Sequence, residues 1–163
     1  MIRVYWEDTD AGGIVFYANY LKFMERARTE WLRSLGIAQQ RLRESTGGMF
    51  VVSQAHIQYH RPARLDDRLL VTTRLSRLGA ASMTVAQCVF GPIEETAQER
   101  TQEHPVKAAE PGQNRFFAPD GQAVALLCGG DIRIGWVNAK TLRPARIPCA
   151  ITATLARRQD CIS

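Results

Sequence analysis

The chain has 163 residues, of which 45% are hydrophobic, and its formal net charge is +5. This length predicts a single domain with a sizeable core, and the hydrophobic share excludes a chain that is disordered throughout. The positive charge suits a phosphate-bearing ligand, a nucleic acid or an anionic membrane face. No run of Lys and Arg is interleaved with aromatic residues, so we expect no nucleic-acid partner.

The cysteines indicate a reducing compartment. None of them forms a C-x-x-C pair, and their spacing fits neither a zinc site nor an evident disulfide framework: Cys88, Cys128, Cys149 and Cys161. We therefore expect free thiols. The sequence shows no signal-peptide pattern and no apolar run long enough to span a bilayer, so we expect a cytoplasmic chain without an integral membrane segment.

The first predicted elements are a short strand and an acidic turn. Ile2, Val4 and Trp6 alternate with other residues, as in a strand. The turn that follows carries three acids and two glycines: Glu7, Asp8, Asp10, Gly12 and Gly13.

A long amphipathic helix is predicted directly after the acidic turn. Its apolar residues are spaced by four, three, four and four positions, which places them on one helix face: Tyr20, Met24, Ala27, Trp31 and Leu35. Asn19 stands where an N-cap is expected and Gly36 where a C′ glycine is expected. Glu25 projects from this helix, and we interpret it as a structural residue paired with an Arg.

The remaining pattern predicts antiparallel strands. A short helix containing Leu42 is expected within 37–46, followed by strands at 49–60, 69–78 and 82–90, with a turn at 79–81. Residues 91–121 are polar and interrupted by prolines, which predicts a long loop. Strand character returns at 123–127 and 131–137, with a bulge predicted at Gly129 and Gly130. The fold class is therefore α+β, with one helix buried on a sheet.

The acidic turn and the start of the long helix form a possible catalytic arrangement. The first turn of a helix has N–H groups without intrahelical partners, and such groups can stabilise a carbonyl oxygen that becomes negative during attack. A carboxylate beside them can act as a nucleophile or deprotonate water. The alternative is a surface turn whose Asp residues only cap backbone N–H groups.

A family resemblance favours the catalytic interpretation. Residues 7–28, EDTDAGGIVFYANYLKFMERAR, resemble the signature of the hotdog-fold acyl-CoA thioesterases of the 4-hydroxybenzoyl-CoA thioesterase type, and within them the Tol–Pal-associated branch. The strings RPARLDD at 61–67 and TLRPARIP at 141–148 also resemble this branch. The resemblance implies a hotdog fold, in which an antiparallel sheet wraps around one long central helix. The chain would be one domain, 1–163, with an inserted loop at about 91–121 and an unassigned tail at about 149–163.

The resemblance also implies an activity and a site. The activity is hydrolysis of a small or medium acyl-CoA to free acid and CoA, without a cofactor or a metal. Asp10 would be the catalytic carboxylate, and the N–H groups of Tyr17 and Ala18 would polarise the thioester carbonyl. Many relatives carry a His where this chain has Tyr17. The implied substrate-binding residues are Gly12, Gly13, Asn19, Arg77 and Ser82, the last two for the CoA phosphates.

Two other functions on the same fold remain open at this point. One is a non-catalytic module that binds acyl-CoA or acyl carrier protein. The other is a dehydratase or hydratase, which would need an Asp/His pair on a helix that we do not find. The resemblance implies acyl-CoA as substrate, acyl carrier protein as a possible partner, and a homodimer or homotetramer. An uncovered strand edge also favours association.

The remaining chemically active side chains are interpreted as structural. His56 and His60 share a strand face but lack a third ligand at useful spacing, and His104 lies in the predicted loop, so none is expected to hold a metal. Cys88 and Cys128 lie in apolar strands without a His partner, which predicts buried, inert thiols.

Overall fold

The computed structural model describes residues 1–92, 116–119, 121 and 123–159. Within these ranges two helices precede a run of strands, and a third helix follows it. In chain order they are β1 (Ile2–Arg3), a 3₁₀ turn (Trp6–Asp8), α1 (Asn19–Ser34), α2 (Gln39–Thr46), β2 (Gly48–Tyr59), β3 (Arg68–Leu78), β4 (Ser82–Pro92), β5 (Phe116–Phe117), β6 (Ala123–Asn138) and α3 (Cys149–Gln159).

The strands form one antiparallel sheet in the order β1-β3-β4-β6-β2. β5 pairs with residues 123–124 of β6, beyond the stretch of β6 that pairs with β2. The hairpin predicted at 79–81 is confirmed by the β3–β4 pairing and by the Gly79 N–H, which donates to the Ser82 carbonyl at 2.8 Å. β2 is the last strand of the sheet, and this position leaves one of its edges uncovered by the described residues.

Helix α1 packs against β3 and β4 and supplies much of the core. Phe23 and Met24 are fully buried, and they meet buried sheet residues such as Leu69, Val85 and Val89. The predicted apolar face is confirmed at Tyr20 and Met24, whereas its remaining three residues are only half-buried. The predicted α+β arrangement, a helix buried on an antiparallel sheet, is confirmed.

A buried polar network joins α1 to the sheet. The Arg28 guanidinium donates to Gln87 Oε1 at 2.7 Å and forms an ion pair with Glu25. Gln87 Nε2 donates to the Met24 carbonyl at 3.0 Å and to Thr73 Oγ1 at 2.8 Å. The predicted pairing of Glu25 with an Arg is therefore confirmed, but the burial of Arg28 was not expected from the helix pattern.

Two predictions at the start of the chain are wrong. Trp6 is not part of a strand: it begins the 3₁₀ turn and is 79% exposed, because the Asp8 carboxylate accepts the Tyr5 N–H at 3.0 Å and turns the chain. Asn19 is not the N-cap of α1 but its first residue, after Ala18. Its side-chain amide donates instead to the Asp8 carbonyl at 3.0 Å. Gly36 follows the C-cap with φ +77°, as predicted for a C′ glycine.

The second half of the chain also differs from prediction. β6 runs without a break through Gly129 and Gly130, and a Cβ at Gly130 would lie 2.1 Å from the His56 carbonyl oxygen, so close strand approach explains this glycine better than a bulge. The register of β6 against β4 shifts instead between Val89 and Phe90.

Regular structure occurs in parts of the predicted loop and of the unassigned tail. β4 continues to Pro92, and residues 116–117 form β5, so strand structure enters the predicted 91–121 loop from both sides. Most of the rest of that loop, with His104, lies outside the described residues, as does Cys161. The unassigned tail contains α3, whose Leu155 is fully buried and which contacts β3. No helix in the described part of the chain is long and apolar enough to cross a membrane.

Candidate active site

The acidic turn, residues 7–18, folds as a small hairpin. Thr9 and Val15 form an antiparallel bridge, and the Asp10 N–H donates to the Ile14 carbonyl at 2.9 Å. The Gly13 N–H donates back to the Asp10 carbonyl at 3.0 Å. Gly13 has φ +73°, in the left-handed region that favours glycine, so this residue type allows the tight reversal.

Asp10 lies at the tip of this hairpin with an exposed side chain. Its Oδ1 accepts the Gly12 N–H at 2.8 Å, which holds the carboxylate in one orientation. A Cβ at Gly12 would lie 3.0 Å from the same oxygen, so a glycine leaves room for that contact. No described residue makes a hydrogen bond to the second oxygen, Oδ2, which is therefore open to a ligand or to water.

Asp8 attaches the acidic turn to the start of α1. Its carbonyl accepts both the Phe16 N–H, at 2.9 Å, and the Asn19 side-chain amide, at 3.0 Å. Asp8 and Asn19 are 4% and 5% exposed, so these contacts are shielded from water. Sequence reasoning selected Asp10 and Asn19 but missed Asp8, because its position in the E-D-T-D string does not show that it is buried.

The backbone at the start of α1 has N–H groups available for a ligand. Among the described residues, the N–H groups of Tyr17, Ala18 and Tyr20 have no hydrogen-bond partner. The following groups are used within the chain: the Asn19 N–H donates to the Phe16 carbonyl at 2.8 Å, and the Leu21 N–H donates to the Ala18 carbonyl at 3.1 Å. The structure thus brings Asp10, Gly12, Gly13, Tyr17, Ala18 and Asn19 into one connected segment.

Aromatic side chains surround this segment. The rings of Phe16 and Tyr17 are 4.6 Å apart, and Tyr59, the last residue of β2, makes edge contacts with Tyr17 at 6.4 Å and with Tyr20 at 5.6 Å. Phe16, Tyr17 and Tyr59 are 41%, 63% and 47% exposed, so they present apolar surface beside the acidic turn. Sequence reasoning missed Tyr59, although its position before Pro62 placed it at the end of a strand.

Two tyrosine hydroxyls bond to the backbone in this cluster. Tyr59 donates to the Tyr17 carbonyl at 3.0 Å, and the buried Tyr20 oxygen accepts the Ala63 N–H at 2.8 Å. Burial raises the pKa of both hydroxyls above the usual tyrosine value. Both tyrosines are therefore neutral at physiological pH.

Arg77 and Ser82 lie far from this segment in the same chain. The acidic turn contacts the beginning of the β3 region, where Val15 N–H donates to the Ala63 carbonyl at 2.8 Å, whereas Arg77 and Ser82 flank the turn after β3. β3 has 11 residues, which at about 3.3 Å per residue spans on the order of 35 Å. The phosphate-binding role of these two residues stays a prediction.

The thiols and histidines do not form a reactive cluster in the described ranges. Cys128 is fully buried, and its burial raises the pKa of the thiol to about 12. Cys88 is half-buried, and desolvation likewise raises the pKa of its thiol. Both thiols therefore stay protonated and weakly nucleophilic. Among the described residues, no group of three His, Cys, Asp or Glu side chains could hold a metal ion.

Comparison with known proteins supports the resemblance seen in the sequence. Residues 12–96 match the thioesterase superfamily. The acyl-CoA thioesterase YbgC of Haemophilus influenzae is 50% identical over 86 residues, which are 53% of this chain and 63% of that protein. The acyl-CoA thioesterase YbgC of Helicobacter pylori is 31% identical over 146 residues, or 90% of each chain.

A solved structure shows the same fold. The crystal structure of a probable thioesterase from Bartonella henselae is 29% identical, with a TM-score of 0.66 over 90% of this chain and 95% of that one. The predicted hotdog fold is confirmed by this likeness. The match to the Haemophilus protein spans only 63% of that protein's length, whereas the match to the Helicobacter protein covers 90% of both chains. Because the family match covers more than half of this chain and the Helicobacter relative aligns over 90% of it, the chain belongs to the thioesterase superfamily.

Proposed function

We propose that this chain is an acyl-CoA thioesterase, which hydrolyses a small or medium acyl-CoA to free acid and CoA. The observation that carries this proposal is the acidic turn itself. Its hydrogen bonds hold Asp10 with one open carboxylate oxygen, in the same segment as the N–H groups of Tyr17 and Ala18, which have no partners among the described residues. The relatives from Haemophilus and Helicobacter, both acyl-CoA thioesterases by name, support the substrate class.

The proposed reaction uses only groups of this segment. The thioester carbonyl oxygen accepts hydrogen bonds from the N–H of Tyr17 or Ala18, at the positive end of the α1 dipole. Asp10 takes a proton from water, and the hydroxide adds to the carbonyl carbon; alternatively, Asp10 itself adds as a nucleophile. Collapse of the oxyanion then breaks the C–S bond, and the CoA thiolate leaves and is protonated. In the nucleophilic route this leaves the acyl group on Asp10 as an anhydride, and a water molecule then hydrolyses the anhydride to the free acid and restores the Asp10 carboxylate. The exposed rings of Phe16 and Tyr17 offer apolar surface for the acyl group.

We further propose that the active form is a homodimer or a larger homo-oligomer. Strand β2 has an open edge, and a groove of about 520 Å³ beside it is lined by four apolar residues, among them Leu21, Val52 and Ala55, and by four charged residues of α1. If the β2 strands of two copies pair in antiparallel fashion, the end of the sheet that carries Asp10 in one copy lies beside the end that carries Arg77 in the other copy. The Arg77 end of one copy could then serve the Asp10 end of the other, which one chain alone does not allow.

The proposed substrate is tested by thiol release from a panel of thioesters. Purified protein is assayed on short, long and aromatic acyl-CoAs and on an acyl carrier protein thioester, with heat-denatured protein as the control. We expect catalytic turnover of at least one acyl-CoA, and preference for the carrier-protein thioester would identify that protein as the partner. Folded protein that binds acyl-CoA but releases no thiol from any substrate would contradict the proposal and support a non-catalytic binding module.

We also propose a cytoplasmic location. Cys88, Cys128 and Cys149 are free thiols in the described part of the chain, as proteins in a reducing compartment usually have.

A further inference from the structure

The groove beside β2 begins in the first turn of α1, next to the candidate site. Its volume of about 520 Å³ lies within the usual range for a small-molecule pocket. Leu21 lines it on the helix side, and Val52 and Ala55 line it on the strand side. Leu21 is four positions after Tyr17, which is about 6 Å along a helix. A ligand held at the start of α1 is therefore close enough to extend into the groove.

A smaller cavity lies further along the same side of α1. Its volume is about 40 Å³, and Trp31 and Phe50 supply apolar parts of its lining. The groove and this cavity share three lining residues, namely Glu25, Arg28 and Val52. Residues that line both spaces stand between them, so these three residues form a wall that closes the far end of the groove.

Two of the three wall residues are charged and are held in place. Glu25 forms an ion pair with Arg28, and the buried Arg28 guanidinium also donates to Gln87 Oε1 at 2.7 Å. Gln87 is bonded in turn to the Met24 carbonyl and to Thr73, so the pair is anchored to the sheet. A hydrocarbon chain that passed the wall would have to separate these charges without replacing their contacts, which is costly.

The distance from the candidate site to the wall suits a medium acyl chain. Glu25 is eight positions after Tyr17, which corresponds to about 12 Å at the helical rise of about 1.5 Å per residue. A C–C bond is about 1.5 Å long and an extended zigzag chain advances somewhat less per bond, so about 12 Å accommodates about eight to ten carbons. An acyl group whose carbonyl lies at the start of α1 would reach the wall at this length.

We propose that the Glu25–Arg28 pair sets the upper limit on the length of the acyl group. The acyl chain lies in the groove beside β2, and the charged wall stops a hydrocarbon of more than about eight to ten carbons. This inference rests on the proposed function and gives a physical reason for the small or medium acyl-CoA named there. A partner copy paired at β2 would border the same groove.

Binding of alkyl-CoA thioethers tests the groove without relying on catalysis, because a thioether has no carbonyl to hydrolyse. Isothermal titration calorimetry gives the affinity of the wild-type protein for S-alkyl-CoAs of increasing length. We expect affinity to rise about fourfold for each methylene that enters the groove, and then to stop rising at about eight to ten carbons. A groove filled only by a second copy of the chain would give no gain per methylene, and that result would overturn the inference.

Glu25→Ala tests the wall, and Glu30→Ala is the matched control. Both glutamates lie on α1 and pair with an arginine three residues further on, but Glu30 lines neither the groove nor the smaller cavity. The readout is the ratio of kcat/KM for dodecanoyl-CoA to kcat/KM for hexanoyl-CoA. We expect this ratio to rise about tenfold or more in Glu25→Ala, the effect of about two further buried methylenes, and to keep the wild-type value in Glu30→Ala. An unchanged ratio in folded Glu25→Ala would overturn the inference.

Ala55→Phe supplies a test in the opposite direction, which holds even if Glu25→Ala fails to fold. Ala55 is exposed on β2, so a larger side chain can be accommodated there, and it would narrow the groove before the wall. We expect the same ratio to fall below the wild-type value, and an unchanged ratio would overturn the inference. A wild-type protein that hydrolyses no thioester would overturn the proposed function, whereas the thioether series would still show whether the groove binds an alkyl chain of limited length.

Discussion

Arg28 is a charged side chain placed inside the core, and the residues around it explain why this is tolerated. It is 7% exposed, and its guanidinium is satisfied by Gln87 and Glu25. Gln87 is 1% exposed and in turn donates to the Met24 carbonyl and to Thr73. Buried charges are costly unless they are paired and hydrogen-bonded. The network therefore fixes how α1 sits on the sheet, and removing one member leaves the others unsatisfied.

Arg28→Met tests this network, and Arg33→Met is its matched control. Both arginines lie on α1 three residues after a glutamate with which they pair, but the Arg33–Glu30 pair is exposed. We expect Arg28→Met to lower the free energy of unfolding by about 2–3 kcal/mol, because Gln87 Oε1 loses its donor. Arg33→Met should cost no more than about 0.5 kcal/mol. Urea denaturation measures both, and equal midpoints would contradict a structural role for the buried network.

At the scale of single residues, the sequence could predict whether a side chain faces the core, but not which residue it would bond to. The alternation that places Val85 and Val89 inward also places Gln87 inward, so its burial could be inferred from the strand pattern. The partner, Arg28, could not, because it lies 59 positions away on another element. The partner of Asn19 was also not predictable: its position suggested an N-cap of α1, but its side-chain amide donates to the Asp8 carbonyl.

Among the elements, β2 is an end strand of the sheet, with one edge uncovered by the described residues. It is paired on one side by β6, and Val52 is 50% exposed beside the groove that also includes Leu21 and Ala55. An uncovered strand edge next to apolar surface favours pairing with another strand. Because this edge lies next to α1, a partner copy there would also cover part of the helix.

The proposed pairing of β2 is tested by placing charge on its exposed surface. Val52→Glu combined with Ala55→Glu should convert the oligomer to a monomer, since four buried carboxylates would face one another across a two-fold interface. Thr72→Glu, on the exposed side of β3, is the control and should leave the assembly unchanged. Light scattering measures the mass, which should fall to the 18.3 kDa of one chain only in the double variant. A folded, fully active wild-type monomer would contradict the proposal.

Elements with strong periodicity were predictable, and those that depend on tertiary contacts were not. The helix at 19–34 and the strands that became β2, β3 and β4 follow from spacing, turn residues and alternation. α3 was missed because it has little amphipathic pattern and is held by the burial of Leu155 against the core. β5 has only two residues, and it exists because β6 offers a free edge beyond the end of β2.

In the molecule as a whole, the position of the candidate site follows from the direction of α1. The helix begins beside the acidic turn and the start of the β3 region, and near its end Trp31 and Leu32 line a pocket with Met83, which follows the turn after β3. Its N-terminal N–H groups therefore lie at the end of the sheet where Asp10 is held. The family signature predicted this arrangement from residues 7–28, because it covers both the turn and the helix start. It could not predict that Arg77 and Ser82 lie at the other end of the strand.

The most direct test of the central claim, that Asp10 performs the hydrolysis, compares Asp10→Asn with Asp66→Asn. An Asn at position 10 can still accept the Gly12 N–H, so the turn should fold, but it can neither take a proton from water nor attack as a carboxylate. Asp66 is an exposed aspartate with φ +67°, a conformation that Asn also adopts. In a thiol-release assay on the best acyl-CoA substrate, we expect kcat to fall at least about 100-fold in Asp10→Asn and to stay at the wild-type value in Asp66→Asn. Wild-type turnover by folded Asp10→Asn would contradict the account.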